Sequence, residues 1–149
     1  MKKVIYLAGG CFWGLEHLMQ SLRGVVDAES GYANGRSGEL AYYEAVCTGL
    51  TGFRETVKVE YDTEKVSLET LLAAYFAVID PTLINRQGMD MGTQYQTGIY
   101  YTDAESRAIV ERVAAEERKK HPRFYVELRA LENFYPAEEY HQDYLIKNP

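Results

Sequence analysis

Residues 4–18 read VIYLAGGCFWGLEHL, and the change of pattern inside this stretch decides the fold. Val4-Ile5-Tyr6-Leu7-Ala8 is a continuous apolar run, the pattern of a strand covered on both faces. From Cys11 onward the apolar residues recur at helical spacing, at Cys11, Leu15, Leu18 and Leu22, until Gly24 supplies a stop. A buried strand that turns through Gly9-Gly10 into an amphipathic helix opens a β-α-β arrangement.

The rest of the chain extends this order. Residues 25–33 read as a second strand, ending in a glycine-rich loop with Gly31, Gly35 and Gly38. Tyr42 to Cys47 is ambiguous. Residues 55–61 alternate, with Val57, Val59 and Tyr61 on one face and Lys58 and Glu60 on the other; Glu55 has the apolar parity. Ser67 is a candidate N-cap for a helix carrying Leu68, Leu71, Leu72, Tyr75, Phe76 and Ile79, which Asp80-Pro81 ends. Residues 80–96 show neither period, and a structureless stretch of that length in a compact domain is usually functional or disordered. A strand at 97–101 follows. Thr102 and Glu105 have capping-box spacing for a helix to about Lys119. Residues 125–131 predict a strand. Pro136 suits the first turn of a last helix that would place Tyr140 and Tyr144 on one face. The order predicts an α+β fold, a two-layer α/β sandwich with a ferredoxin-like core and a mixed or antiparallel sheet, in one domain over 1–149.

Composition narrows the function. The chain has 149 residues, 46% of them apolar, enough for a core without disulfide or metal staples. The net charge of -6 argues against nucleic acid, whose binders need a basic footprint. No run approaches the roughly 20 apolar residues of a membrane span. MKKVIYLAGG superficially suggests a signal peptide, but its apolar run is short and bulky aromatics follow where a small-residue cleavage site belongs. We read it as a strand, the chain as cytoplasmic, and the two cysteines as free thiols. No Cys/His spacing fits a zinc site.

Cys11 falls where strand turns into helix, a point where free N–H groups and the helix dipole favour an anion. Cysteine pKa values fall at such positions, so the placement reads as the seat of a nucleophile with a lowered pKa. Phe12 and Trp13 lie off the Leu15–Leu18 face and are free to wall a pocket suited to a methyl group. Partial burial of Glu55 would raise its pKa and let it carry a proton near neutrality. Tyrosine hydroxyls donate hydrogen bonds while neutral, but thirteen tyrosines leave the choice among them open.

GGCFWG resembles the signature of the A-type peptide methionine-S-sulfoxide reductases. Three more blocks resemble that family in its order: YYEAVCTGLTGFRETVKVEYD, DPTLINRQGMDMGTQYQTGIYY and FYPAEEYHQDYL. Together they span about residues 4 to 146. The resemblance implies reduction of methionine sulfoxide, free or in peptides and oxidised proteins, on a two-layer sandwich. It makes Cys11 the nucleophile that becomes a sulfenic acid, and Phe12 and Trp13 the holders of the substrate methyl. Glu55, Tyr43 and Tyr95 would bond or protonate the sulfoxide oxygen, and Asp90 would help order the site.

Many relatives carry resolving cysteines in a tail beyond the last block, and this sequence ends at Pro149 without one. Three recycling routes follow: an external thiol such as thioredoxin, glutaredoxin or glutathione; Cys47 as a resolving thiol, with a structural role the better expectation; or a fused methionine-R-sulfoxide reductase domain beyond this chain. Phe53-Arg54 stand where His-Ala is common in relatives, Met89 where Asn is, and Gln96 where Arg is; lying beside the site, they are candidates to shift substrate preference or proton handling. His17 and His121 read as surface residues, and His141 as a hydrogen-bonding support near the site. Two rival readings are a cysteine hydrolase or acyltransferase pairing Cys11 with His141, and a peptide-binding module using Trp13 and the tyrosines as an aromatic platform.

Overall fold

The apolar run at the start of the chain becomes the middle of a sheet. The computed structural model describes residues 1–148. Its strands are β1 (Lys2–Ala8), β2 (Val25–Ala33), β3 (Arg54–Asp62), β4 (Arg86–Gln87), β5 (Asp90–Met91), β6 (Gly98–Tyr101), β7 (Glu127–Ala130) and β8 (Phe134–Pro136). Its helices are α1 (Phe12–Gln20), α2 (Tyr43–Val46), α3 (Leu68–Val78), α4 (Ala104–Arg118) and α5 (Tyr144–Lys147). Six strands pair in the order β7-β6-β1-β3-β2-β8. All these pairings are antiparallel except β6–β7, which is parallel. The inner four, β6-β1-β3-β2, with α1 and α3 as crossovers, form the expected ferredoxin-like core, and the sheet as a whole is mixed.

Register sets the core. Ile5 pairs with Val59 and Leu7 with Val57, so their side chains share one face. That face packs against Leu15 and Met19 of α1 and Leu71, Leu72 and Tyr75 of α3. The opposite face carries a smaller cluster of Ala8, Ala33 and Tyr100 with Tyr6 and Phe134. The Tyr75 hydroxyl donates to the Ala8 carbonyl at 2.6 Å and ties α3 to the end of β1. No helix among the described residues is long and apolar enough to cross a membrane.

Four details depart from the sequence reading. The buried stripe of α1 is Phe12, Leu15, Glu16 and Met19 rather than Cys11, Leu15, Leu18 and Leu22, because Cys11 is the N-cap and not a helical residue. The cap of α4 is Asp103, whose carboxylate accepts from the Ser106 N–H at 2.7 Å, one residue after Thr102. Pro136 does not start a helix. It ends β8, an edge strand, where a residue without N–H costs no internal ladder bond. Tyr140 then lies in a 3₁₀ turn and Tyr144 opens the four-residue α5, so no single helix carries both.

The aperiodic stretch is ordered by side chains. Gln87 accepts from the Asp80 N–H at 2.9 Å and donates to the Asp80 carbonyl at 2.7 Å. Gln96 accepts from the Asn85 N–H at 2.7 Å and donates to the Tyr125 carbonyl at 2.8 Å. Between these anchors β4 and β5 form a two-stranded hairpin.

Candidate active site

Gly10 lets two elements meet. Its φ of +86° is a left-handed value, and a Cβ built there would lie 2.6 Å from the Gln87 Cβ. Only glycine permits both the turn and the approach of the β4–β5 hairpin. That approach carries Asp90 near Cys11, which feels its charge.

Cys11 caps α1 with an extended backbone and a partly exposed side chain. Its thiol lines an open pocket of about 260 Å³ with Gly9, Gly14, Leu15, Leu18 and Val78. The expected lowering of its pKa is overturned: the thiol is pushed up to about 12. Burial contributes most; the Trp13 N–H does stabilise the anion, but the charges of Glu55 and Asp90 add to the burial penalty. The helix terminus is outweighed, and the resting sulfur is protonated.

Glu55 lies on the core face near the start of β3, paired in register with Tyr32. It is only 1% exposed. One of its oxygens, Oε1, accepts from the Phe12 N–H at 3.2 Å. Burial, against that hydrogen bond and with help from the Asp90 charge, pushes its carboxyl up to about 8. Tyr95 feels the charges of Glu55, Asp90 and Cys11, and Tyr43 those of Glu55 and Tyr95; burial above all raises both phenols, so both are neutral donors. Cys11, Glu55, Tyr43, Tyr95 and Asp90 therefore form one electrostatic neighbourhood.

A second group of residues builds an aromatic wall. Phe12, expected off the core, is buried against Tyr32 and His141. Trp13 is half-buried, stacks on Tyr144 with ring centroids 3.7 Å apart and planes 8° from parallel, and donates its indole N–H to His141 Nδ1 at 3.0 Å. His141 is 1% exposed, enclosed by Phe12, Trp13, Tyr43 and Tyr140. Burial lowers its pKa. Its Nδ1 is occupied by Trp13 and its Nε2 has no partner, so the Cys11–His141 pair that a hydrolase needs is absent.

Several residues of this arrangement escaped the sequence reading. Glu16 and Gln20, one turn apart on α1, clamp Asp143. Glu16 Oε1 accepts from the Asp143 N–H at 2.8 Å, and the Gln20 amide donates to the Asp143 carboxylate. Asp143 itself has a left-handed backbone, φ 55°. The clamp sits between His141 and Tyr144 and so holds both against Trp13. The signal was a charged residue, Glu16, on the apolar stripe of a helix, where carboxylates are rare unless paired. Glu138 was also missed: it accepts from the Tyr32 hydroxyl at 2.7 Å and from the Tyr43 N–H at 2.9 Å, fixing the start of α2.

Other sequence features lie outside this neighbourhood. Arg54 turns to the opposite face from Glu55 and pairs with Glu127 at 3.0 Å. Phe53 is buried against Tyr135. Cys47, by contrast, belongs to the neighbourhood: its free thiol, exposed at the end of α2, lies beside the Tyr43 hydroxyl and feels the charge of Glu55. Among the described residues, no three or more His, Cys, Asp or Glu gather as a metal site.

The whole chain resembles known proteins. A family model described as peptide methionine sulfoxide reductase matches residues 3–149. The peptide methionine sulfoxide reductase MsrA of Clostridium acetobutylicum is 51% identical, over 100% of this chain and 91% of that protein. The crystal structure of Mxr1 from Saccharomyces cerevisiae in reduced form superposes with a TM-score of 0.95 at 37% identity, covering 99% of this chain and 86% of that one. Mxr1 in complex with Trx2 gives a TM-score of 0.67 at 25% identity, covering 96% and 84%.

Proposed function

The chain belongs to the peptide methionine sulfoxide reductase family and reduces methionine sulfoxide at the expense of thiols, and from that premise we propose that Cys11 takes the oxygen and Glu55 handles the proton. The observation that carries this reading is the pairing of a partly exposed thiol at the start of α1 with a 1%-exposed carboxyl that burial pushes up to about 8. A sulfoxide oxygen leaves only once protonated, so the attack needs an acid beside the thiol. Glu55 fits, held by the Phe12 N–H through one oxygen with the other left to carry the proton.

The step balances without an added charge. Glu55 gives its proton to the sulfoxide oxygen as the Cys11 sulfur attacks the sulfoxide sulfur. The positive charge that develops on the substrate makes the thiol acidic, and Glu55 receives the thiol proton. The substrate S–O bond breaks, the oxygen bonds to the Cys11 sulfur as the new sulfur–sulfur bond breaks, methionine leaves with that bonding pair, and Cys11 becomes a sulfenic acid. The substrate sulfur gains two electrons and Cys11 loses two. Tyr43 and Tyr95, neutral throughout, donate to the oxygen as charge collects on it. Trp13, held by Tyr144 and His141, walls the methyl side, and Asp90 orders the mouth.

Restoring Cys11 takes two thiols: the first displaces water from the sulfenic acid and forms a mixed disulfide, and the second releases it. An external thiol fits this role, since the partly exposed Cys11 lines a pocket that opens to solvent. The complex of Mxr1 with Trx2 makes a thioredoxin-type dithiol our choice of partner. Cys47 is the alternative, and thiol titration after one turnover separates the two: one thiol lost means an open sulfenic acid, two lost means a Cys11–Cys47 disulfide.

The test is turnover of the separated sulfoxide epimers with excess dithiothreitol, beside a Cys11→Ser control. The expected result is loss of the S epimer alone, and none in the control. Turnover by the control, or of the R epimer instead, overturns the reading.

A further inference from the structure

The hairpin that delivers Asp90 carries two methionines that the mechanism does not use. The turn between β4 and β5 is Gly88-Met89, with Gly88 at a φ of 57°, the left-handed first position that two-residue hairpin loops favour. Met89 at the tip is 94% exposed and Met91 70%. Of the remaining two methionines, Met1 begins the chain and Met19 is 0% exposed in the core. Neither tip side chain contributes to packing, so the fold has no structural use for a thioether at either place. They flank the one carboxylate of the site that lies in solvent.

Their chemistry differs from that of the thiol beside them. A thioether is oxidised to the sulfoxide without ionising, whereas a cysteine reacts as its thiolate. Geometry also decides how the tip would be repaired. Gln87 is bonded to both backbone groups of Asp80 and packed over Gly10, which anchors the base of the hairpin while its tip stands in solvent. It stands out as an exposed methionine-bearing turn, which is how any oxidised protein presents its substrate.

We propose that Met89 and Met91 are a modification site of this enzyme, oxidised by peroxide ahead of the buried Met19 and reduced in trans by Cys11 of a second copy. In the first step each thioether takes one oxygen from hydrogen peroxide and water is released. In the second, the sulfoxide returns to the thioether as the second copy's Cys11 thiol becomes a sulfenic acid, which two reductant thiols restore. The proposal rests on the reductase reading and extends it to the enzyme as its own substrate.

The test uses Cys11→Ser protein, checked for native circular dichroism, as the oxidation target. It is exposed to hydrogen peroxide, cleared with catalase, then given a trace of wild-type enzyme, dithiothreitol and free methionine sulfoxide. Tryptic mass spectrometry follows residues 87–107, which hold both tip methionines, and the peptide bearing Met19. The expected result is oxygen on Met89 and Met91 well before Met19, then recovery of about half of the tip sulfoxide, because peroxide makes both epimers and one enzyme takes one of them. Wild-type protein oxidised in the same way should recover to the same extent on dithiothreitol alone. Equal oxidation of Met19 and the tip in wild-type protein overturns the proposal. So does tip sulfoxide that persists while the free sulfoxide in the same tube is consumed, an outcome that leaves the reductase reading intact.

Discussion

Two sides of Cys11 are built in different ways. On one, Glu55 is set by strand register: it is the first core-facing residue of β3 and is paired with Tyr32 of β2. On the other, Trp13, His141 and Tyr144 are set by side chains that join α1 to a segment more than a hundred residues away, through Glu16, Gln20 and Asp143. In the proposed mechanism the first side handles the proton, and it is as rigid as the sheet. There the second side grips the substrate methyl, and it is only as rigid as a few hydrogen bonds. The difference teaches that chemistry and grip are separable in this molecule, and mutations should separate them.

Removing the sulfur that both sides serve has the largest effect. Cys11→Ser should abolish turnover of either epimer while leaving the fold intact by circular dichroism, since the thiol is an N-cap without a capping side-chain bond.

Next comes the sheet side. Glu55→Gln keeps the acceptor for the Phe12 N–H and removes the proton, so kcat should fall by about 10²–10⁴-fold with KM little changed. The pH dependence follows from the same residue. A carboxyl raised to about 8 is neutral below that pH and ionised above it. Activity should therefore be high at neutral pH and fall as pH rises through about 8. A mechanism needing free Cys11 thiolate predicts the reverse, a rate that climbs with pH toward the thiol pKa of about 12. A pH–rate profile of kcat decides between them.

The grip side should give smaller effects of another kind. Glu16→Ala removes the acceptor for the Asp143 N–H, worth about 1–3 kcal/mol for a buried donor left unpaired. The loss should appear mainly in KM. It should also appear in fluorescence, because Trp13 is the only tryptophan and would leave its stack on Tyr144. Glu16→Gln retains an acceptor oxygen and should restore both readouts. A Glu16→Ala enzyme with normal emission and normal KM would break the comparison.

Cys47→Ser should have the least effect. With dithiothreitol as reductant its turnover should match wild type, because the thiol faces solvent at the end of α2. A large loss would move Cys47 into the cycle.

The same contrast explains what could be read from the sequence. Local periodicity reports registers and helix faces, so the alternation at 55–61, the Ser67 cap and the helix behind it emerged as β3 and α3, and the order of elements led to the ferredoxin-like core. Parity put Glu55 on the apolar face, but parity alone does not tell a buried carboxyl from a solvated strand end; the family resemblance favoured the buried one, and Glu55 is 1% exposed. Patterns that two structures share were misread: Pro136 fits a first helical turn as well as the end of an edge strand, and pairing with Gly31 decides for the strand. The thiol's ionisation was misjudged because a helix terminus is visible in sequence, whereas burial and the approach of Asp90 on a distant hairpin are not. The clamp on Asp143 was invisible for the same reason, since nothing near residue 143 announces a partner at 16. Arg54, next to Glu55 in sequence, faces away from it because alternate residues of a strand point opposite ways, whereas Phe53, just before β3, is buried against Tyr135.

The most direct test of the central claim is a single turnover without reductant. Enzyme in excess is mixed with a methionine-S-sulfoxide peptide, quenched, and digested for mass spectrometry. The account predicts one methionine formed per oxidised enzyme, with about 16 Da added to the peptide that carries Cys11, trapped as its sulfenic acid. Methionine formed while Cys11 stays an unmodified thiol would contradict it.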